Sequence, residues 1–397
     1  MEKITFYEEL LNLPSVEILD IKVDTKIITI ECQVKHLGDT CPNCGETSTT
    51  VNQYYHRTIR DLNMGIRHVH LLVKMRQFYC KSCNRYYTET LEFADLNKEY
   101  THRQSDYMFI LARKQCYTEV AAIVDVSPKT VERIVLDFCQ KMINIPERYR
   151  QVRRLGIDEH SHRKGKKDYL CILTDLDRGI IIDILPNRKK ETLIAHFNQM
   201  GTDFCNQITD VSCDYWDAYI TTSKVCFPNA KVILDRFHVT KLLNNVLDDF
   251  RKELRKSDKD NTHYKRLKWI LYKQYHTLSD QQLDDLDAAF IDSPMLEKIY
   301  HIREDFHHIL DNTDTVENAI KAINNWVEQL NKQEINLFDG FVKTLKNTKE
   351  YIANYVENYL SNAVTEGLNN LIRSVRRTAF GMTNFENLKL RVLAISC

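Results

Sequence analysis

The chain has 397 residues, 43% of them hydrophobic, which is long for one domain and sufficient for two or three. Its 55 basic and 55 acidic residues leave a formal net charge of zero, so whole-chain charge lends nothing to a nucleic-acid binder, a class that is usually basic. No stretch approaches the ~18 apolar residues of a membrane span, and Met1-Glu2-Lys3 leads into Phe6-Tyr7-Glu8-Glu9 with no apolar signal-peptide core, so the expectation is a cytoplasmic protein without a membrane partner.

Ten glycines and seven prolines over such a length fall below ordinary usage and point to a helix-rich chain. Residues 1–95 nevertheless alternate in short β-like runs, such as Lys26–Cys32 and His68–Lys74. They hold five of the twelve cysteines, four of them as the pairs Cys41-Pro-Asn-Cys44-Gly45 and Cys80-Lys-Ser-Cys83. A Cys-x-x-Cys turn sets two thiolates about a tetrahedral edge apart, and two such turns complete a sulfur shell that suits one structural Zn²⁺. The strands between the pairs are expected to form a hairpin that joins them. His56, His68 and His70 read as ordinary strand or surface residues, since four cysteines already close the shell. The stretch 57–85 carries Arg57, Arg60, Arg67, Lys74, Arg76, Lys81 and Arg85 against one acid, Asp61. We assign 1–95 to a zinc-binding β domain.

Residues 100–141 read as a helix-turn-helix. Ala121 and Ala122 permit close helix packing, Asp125-Val126 makes the turn, Ser127 is a good N-cap and Pro128 suits the first helical position. Val131, Ile134, Val135 and Phe138 form one buried stripe. Lys129, Thr130 and Arg133 are left facing outward, where a recognition helix meets the major groove.

From 153 to 240 strands and helices alternate. Arg154–Asp158 is an apolar strand ending in an acid, Tyr169–Asp175 and Gly179–Asp183 form a hairpin, Gln207–Asp214 is a strand ending in a second acid, and Ala230–Asp235 is the last strand. The order β-β-β-α-β-α-β is that of an RNase-H-like fold, in which acids on the first and fourth strands approach each other. Two Mg²⁺ (or Mn²⁺) ions about 3.5–4 Å apart can clamp the attacking and leaving oxygens of a phosphoryl transfer if carboxylates hold them. Asp158 and Asp214 fit that role. A basic run, Arg163-Lys164-Gly165-Lys166-Lys167, follows the first acid. The third acid is expected on the last helical segment, 351–397. There Val364, Leu368, Leu371 and Val375 read as the core stripe, while Glu366, Asn370, Arg373 and Arg377 share another face. A carboxylate in line with an amide and two guanidiniums is what a site for metal and DNA phosphates requires.

Cys-Pro-x-Cys-Gly, Gly-Ile-Asp-Glu at 156–159, Leu-Asp-Arg-Phe-His-Val at 234–239, Ser-Asn-x-x-x-Glu-Gly-x-Asn from 361, Arg-Arg-x-Ala-Phe-Gly, and Asn384-Phe-Glu-Asn387 together resemble the ISL3-type insertion-sequence transposases, bacterial enzymes with an amino-terminal zinc-binding domain. The resemblance covers nearly the whole chain. It implies a DDE mechanism with Asp158, Asp214 and Glu366 as catalytic acids. Water nicks the element end and the freed 3′ hydroxyl attacks target DNA, with no covalent enzyme intermediate. It implies as partners DNA, both the terminal inverted repeats and the target, and a second copy of the chain at synapsis, with the enzyme on the nucleoid when bound. It also raises Asp235 and His238 as active-site neighbours. Asp214 is preferred over Asp235 as second acid because it ends the fourth strand. His238 either orients a phosphate or water or caps a helix. Residues 241–350 then read as a helical insertion, with Trp269 and Trp326 in its core. The competing class is a non-catalytic zinc and helix-turn-helix regulator of DNA, which has no need of the acids.

Overall fold

A computed structural model describes residues 2–163, 168–258, 263–360, 362–379 and 384–396. Most of the basic run after the first acid (164–167), Ser361, and Phe380-Gly381 of the carboxy-terminal string lie outside the described residues. The chain divides into two units, Met1–Ile143 with Ile372–Ile395, and Asn144–Leu371 with Ser396–Cys397. Among the described residues no helix is long and apolar enough to cross a membrane.

In the first unit, α1 (Glu2–Leu11) precedes strands β1 (Val16–Val23) and β2 (Ile27–Val34). The short pair β3 (Asp39–Thr40) and β4 (Thr47–Ser48) follows, then the long strands β5 (Val51–Met64) and β6 (Arg67–Cys80), then β7 (Arg85–Thr88). The sheet order is β1-β2-β6-β5, with β7 on the free end of β6. β2 and β6 alternate by twos, burying Ile28, Ile30 and Cys32 on one strand and Val69, Leu71 and Val73 on the other, the period of a half-covered sheet. The expected hairpin is β5–β6, turning at Gly65, whose φ of +63° a side chain would resist.

Three helices follow: α2 (His102–Ala112), α3 (Tyr117–Val124) and α4 (Pro128–Met142). α3 ends at Asp125 in the left-handed region, φ +52°. Ser127 Oγ then accepts from the Thr130 amide at 3.1 Å and Pro128 occupies the first turn of α4. Val131, Ile134, Val135 and Cys139 are buried, with Phe138 half-buried beside them, and Ala122 faces solvent while Ala121 packs.

The second unit begins with α5 (Ile145–Arg150), then β8 (Arg154–Arg163), β9 (Asp168–Asp175), β10 (Ile180–Leu185), α6 (Lys190–Met200), α7 (Thr202–Gln207), β11 (Asp210–Cys213), α8 (Asp217–Cys226) and β12 (Lys231–Leu234). Its sheet runs β10-β9-β8-β11-β12, with the first three antiparallel and β8, β11 and β12 parallel. Helices then take over: α9 (Arg236–Ser257), α10 (His263–Arg266), α11 (Lys268–Leu271), α12 (Asp280–Asp292), α13 (Pro294–Asn312), α14 (Val316–Lys332), α15 (Asp339–Ala353), α16 (Tyr355–Asn358) and α17 (Ala363–Thr378). The apolar faces of α9 to α15 extend one continuous core out from the sheet, while Tyr355 and Val356 of α16 belong to a separate cluster with Leu176 and Ile233. Trp326 is buried there, its Nε1 donating to the Ile302 carbonyl at 2.9 Å. Trp269 departs from expectation and is 68% exposed, because four-residue α11 turns Ile270 and Leu271 inward.

The segment 351–397 does not stay together either. Residues from Ile372 belong to the first unit, where α18 (Phe385–Ile395) packs on α4. Leu390 and Ala394 join the helical core there, and buried Arg391 donates to the Ala112 carbonyl with its guanidinium 4.7 Å from the Tyr117 ring.

Candidate active site

Strand register sets the level of the acids. Cys213 of β11 pairs with Ile157 of β8 on one side and Leu234 of β12 on the other. The next residues are Asp214, Asp158 and Asp235, so three carboxylates stand level. Asp214 and Asp235 come directly after β11 and β12. Asp158 lies midway along β8, which does not end at the acid as expected but runs on to Arg163 because it stays paired with β9. All three are buried. One ligand atom each from Asp214, Asp235 and His238 lies within 4.8 Å of the others, and Asp158 and Asp214 are near enough for each to act on the other's ionisation. His238 occupies the first turn of α9. Its Nε2 lies 3.1 Å from Asp214 Oδ1, so its ring addresses the acid and does not cap a helix.

Crowding buried carboxyls raises the cost of ionising them. Burial pushes Asp158 up to about 6, against the pull of the neighbouring Asp214 and of its hydrogen bond from Asn369. Asp214 rises to about 8, first from burial and then from the Asp158 charge. Asp235 is likewise raised by burial, and burial lowers His238. Such a set is short of positive charge, and divalent cations supply it.

Glu366 lies near the start of α17 and is exposed. Its charge acts on Asp235 and His238, but it is outside the three side chains that converge within 4.8 Å. The inward face of α17 is also not the expected apolar stripe. Val364 is exposed, Leu368 and Leu371 are half-buried, and the buried positions are Thr365, Asn369, Ile372 and Val375. Asn369 Nδ2 donates to Asp158 Oδ2 at 2.6 Å, and its Oδ1 meets His160 Nδ1 at 3.2 Å. Asn362 donates its amide to Asp235 Oδ1 at 3.2 Å. Thr365 and Thr174 share a hydroxyl hydrogen bond of 2.7 Å, against which Gly156 lies so closely that a Cβ would sit 2.2 Å from the Thr174 oxygen. Sequence reading missed Asn369, Thr365, His160 and Asn362. The Asn of Glu-Gly-x-Asn was the available signal for Asn369.

In the first unit the β5–β6 hairpin brings the two cysteine pairs together. Cys41 and Cys83 sulfurs are 3.9 Å apart, Cys44 and Cys80 sulfurs 3.6 Å, matching the edge of about 3.8 Å that a Zn–S bond of ~2.3 Å gives a tetrahedron. Each knuckle closes on a left-handed residue directly after its second cysteine, Gly45 at φ +79° and Asn84 at φ +53°. The donor set fits zinc. One zinc ion per chain is the expected elemental content, and Cys80→Ser is expected to lose it and to lower the unfolding temperature; a metal-free protein melting as the wild type does would refute this.

Lys129 and Arg133 are exposed on α4 and Thr130 is half-buried. They line a cavity of about 660 Å³ with Ser127, Gln140 and Asn387. A second, of about 260 Å³, has Arg60 beside Thr130 and Arg133, and the Arg60 guanidinium donates to the Asp125 carbonyl at the turn. Arg373 and Arg377 are exposed on α17.

Residues 155–392 match the family profile for the DDE-domain transposases of the ISL3 type, and residues 38–83 match that for the zinc-finger of transposase IS204/IS1001/IS1096/IS1165. The transposase for insertion sequence element IS1001 of Bordetella parapertussis is 24% identical over 359 residues, covering 89% of this chain and 88% of the relative. The transposase for insertion sequence element IS1557 of Mycobacterium tuberculosis is 25% identical over 309 residues, 71% of this chain and 68% of the relative. With a catalytic-domain match across more than half of its length and a zinc-finger match ahead of it, the chain belongs to the ISL3 family of transposases, enzymes that act on DNA.

Proposed function

We propose that the protein binds the ends of its insertion sequence and carries out metal-dependent strand cleavage and strand transfer through Asp158, Asp214 and Glu366. The observation that carries this reading is the row of buried carboxyls at one level of β8, β11 and β12. The strand order β10-β9-β8-β11-β12 supports an RNase-H-like core. Asp158 and Asp214 would hold two Mg²⁺ or Mn²⁺ ions, with Glu366 completing the shell and Asp235 and His238 beside it. When bound, the ions neutralise the scissile phosphate and lower the pKa of water toward neutrality. Asn369 and the Glu159 amide aim the two oxygens of Asp158. His238, its pKa lowered by burial, would stand beside the metal shell with its Nε2 3.1 Å from Asp214 Oδ1.

The helices around the Asp125 turn support a helix-turn-helix in which Lys129, Thr130 and Arg133 meet the element end, while Arg373 and Arg377 contact phosphates. A homodimer at synapsis would pair two ends. The test is direct. Purified protein with Mg²⁺ or Mn²⁺ is expected to nick a duplex carrying its own element end at the end's boundary, and not in EDTA. Binding without any nick would leave a DNA-binding regulator in its place.

The raised carboxyls also set a pH dependence. The folded protein keeps protons on Asp158 to about pH 6 and on Asp214 to about pH 8, whereas the unfolded chain releases them near pH 4. Unfolding therefore sheds protons between pH 4 and 8, and metal-free stability falls as pH rises through that window. Thermal melts in EDTA are expected to drop by several degrees from pH 5.5 to 8, and saturating Mn²⁺ to recover much of the loss at pH 8. A melting temperature that is flat in pH, or indifferent to Mn²⁺, would contradict the electrostatics of the site.

A further inference from the structure

Beyond the carboxylates, the second unit carries an aromatic recess that the cleavage chemistry leaves unused. A cavity of about 450 Å³ is lined by Tyr169, Arg188, Lys189, Lys190, Glu191 and Trp216, among others. It stands at the same end of the sheet as the acids, since Trp216 follows Asp214 by two residues and Glu159, which follows Asp158, pairs with Arg188. The Arg188 guanidinium lies 4.1 Å from the Tyr169 ring centroid and 4.0 Å from that of Trp216. A planar cation set over two rings and tied to a carboxylate is a rigid brace. It fixes the indole of Trp216, which remains 41% exposed beside Tyr215, itself 44% exposed.

Two consecutive large aromatics in water at a site of phosphate chemistry need a partner for their faces. The geometry points to a binding site for one unpaired nucleotide of a DNA strand, its base stacked on the face of Trp216 away from Arg188 and its phosphate near Lys189 and Lys190. Stacking, more than charge, would supply the affinity. Arg188, Lys189 and Lys190 are offset by Glu159 and Glu191 at the rim, so a purely phosphate-binding cleft is poorly served here. An indole, by contrast, accepts any base, because every base has a π face. The site would hold a strand end opened next to the scissile phosphate, where a base leaves the duplex stack. In this the inference rests on the strand-cleavage reading.

The probe is a fluorescein-labelled 12-nucleotide oligothymidylate, with an abasic 12-mer of equal charge, titrated in EDTA into the full zinc-loaded chain. Wild type is expected to bind oligothymidylate with quenching of tryptophan emission and the abasic strand much more weakly. Trp216→Ala is expected to lose at least about tenfold in affinity while melting as wild type, since the side chain is half exposed. Trp216→Phe keeps a ring, so it should bind within about threefold of wild type but lose the quench. Equal affinity for the abasic strand, unchanged binding by Trp216→Ala, or a quench that persists in Trp216→Phe and so arises at Trp269 or Trp326, would each overturn the inference. If Trp216→Ala binds oligothymidylate normally and nicks element ends normally, the nucleotide site falls and the cleavage reading stands. Trp216-dependent binding without metal-dependent nicking under any condition would preserve the nucleotide site and sink the cleavage reading.

Discussion

Asp214→Asn is expected to abolish nicking of the element end, with a loss of roughly a thousandfold or more, about 4 kcal/mol of transition-state stabilisation. The amide keeps the size of the carboxylate but removes the charge and half of the lone pairs that a cation needs. Binding of the same duplex in EDTA is expected to persist, because Lys129, Thr130 and Arg133 belong to the other unit. The variant should also be more stable than wild type at pH 8 without metal, since it no longer bears the ionisation cost that pushes Asp214 up to about 8. Asp235→Asn is the informative companion. Asp235 already accepts the Asn362 amide and stands at the start of α9, so its loss is expected to be the smaller. If Asp235→Asn proves dead and Asp214→Asn active, the second acid is Asp235 and our ordering is wrong.

Gly156→Ala is expected to damage fold and catalysis together. The added Cβ would lie 2.2 Å from Thr174 Oγ1, 2.7 Å from Thr365 Oγ1 and 2.8 Å from Leu176 Cδ2. The two threonines are fully buried and hydrogen-bonded to each other, so neither hydroxyl can swing aside freely. Over-packing of this kind costs about 1–3 kcal/mol, or roughly 2–12 °C in the unfolding temperature. The part of the structure that must yield is the seat of α17 on β8. Displacing it by about 1 Å would move Asn369 off Asp158 and carry Glu366 with it, for a loss of the order of a hundredfold in cleavage. Thermal melting and single-turnover cleavage on the same preparation decide the matter. A variant that melts and cuts as the wild type does would show that α17 is not seated through Gly156.

Much of this was legible because it is local. The knuckles announce themselves by cysteine spacing, and the helix α4 by Ser127-Pro128 and an apolar stripe. β11 is an apolar run that stops at an acid, and β8 opens with one that leads into an acid, although the strand itself runs on to Arg163. What misled was periodicity read as if every buried face were apolar. In α17 the apolar residues suggested Val364, Leu368 and Leu371 as the inner face, yet the helix turns Thr365 and Asn369 inward. It packs against strands whose buried side chains are Asp158, His160 and Thr174, and those need hydrogen-bond partners. Trp269 misled for a similar reason: a four-residue helix has room to bury only two of its neighbours, and hydrophobicity alone does not say which. The split of the last segment at Ile372 depends on α18 finding α4, a pairing 250 residues apart that no local pattern encodes.

By itself, then, the sequence determined the chemistry on offer: four thiolates at zinc spacing, acids that follow apolar strand runs, cations on a capped helix, and the family these motifs resemble. Those follow from residue type and short-range spacing, which the chain carries wherever it folds. Only the tertiary structure decided which acids share a level, because parallel register sets Asp158, Asp214 and Asp235 side by side across strands distant in sequence. It also decided that Asn369 steadies Asp158 and that Arg188 braces Trp216. These are contacts between elements, and their energy depends on burial and distance that exist only after the chain has closed on itself.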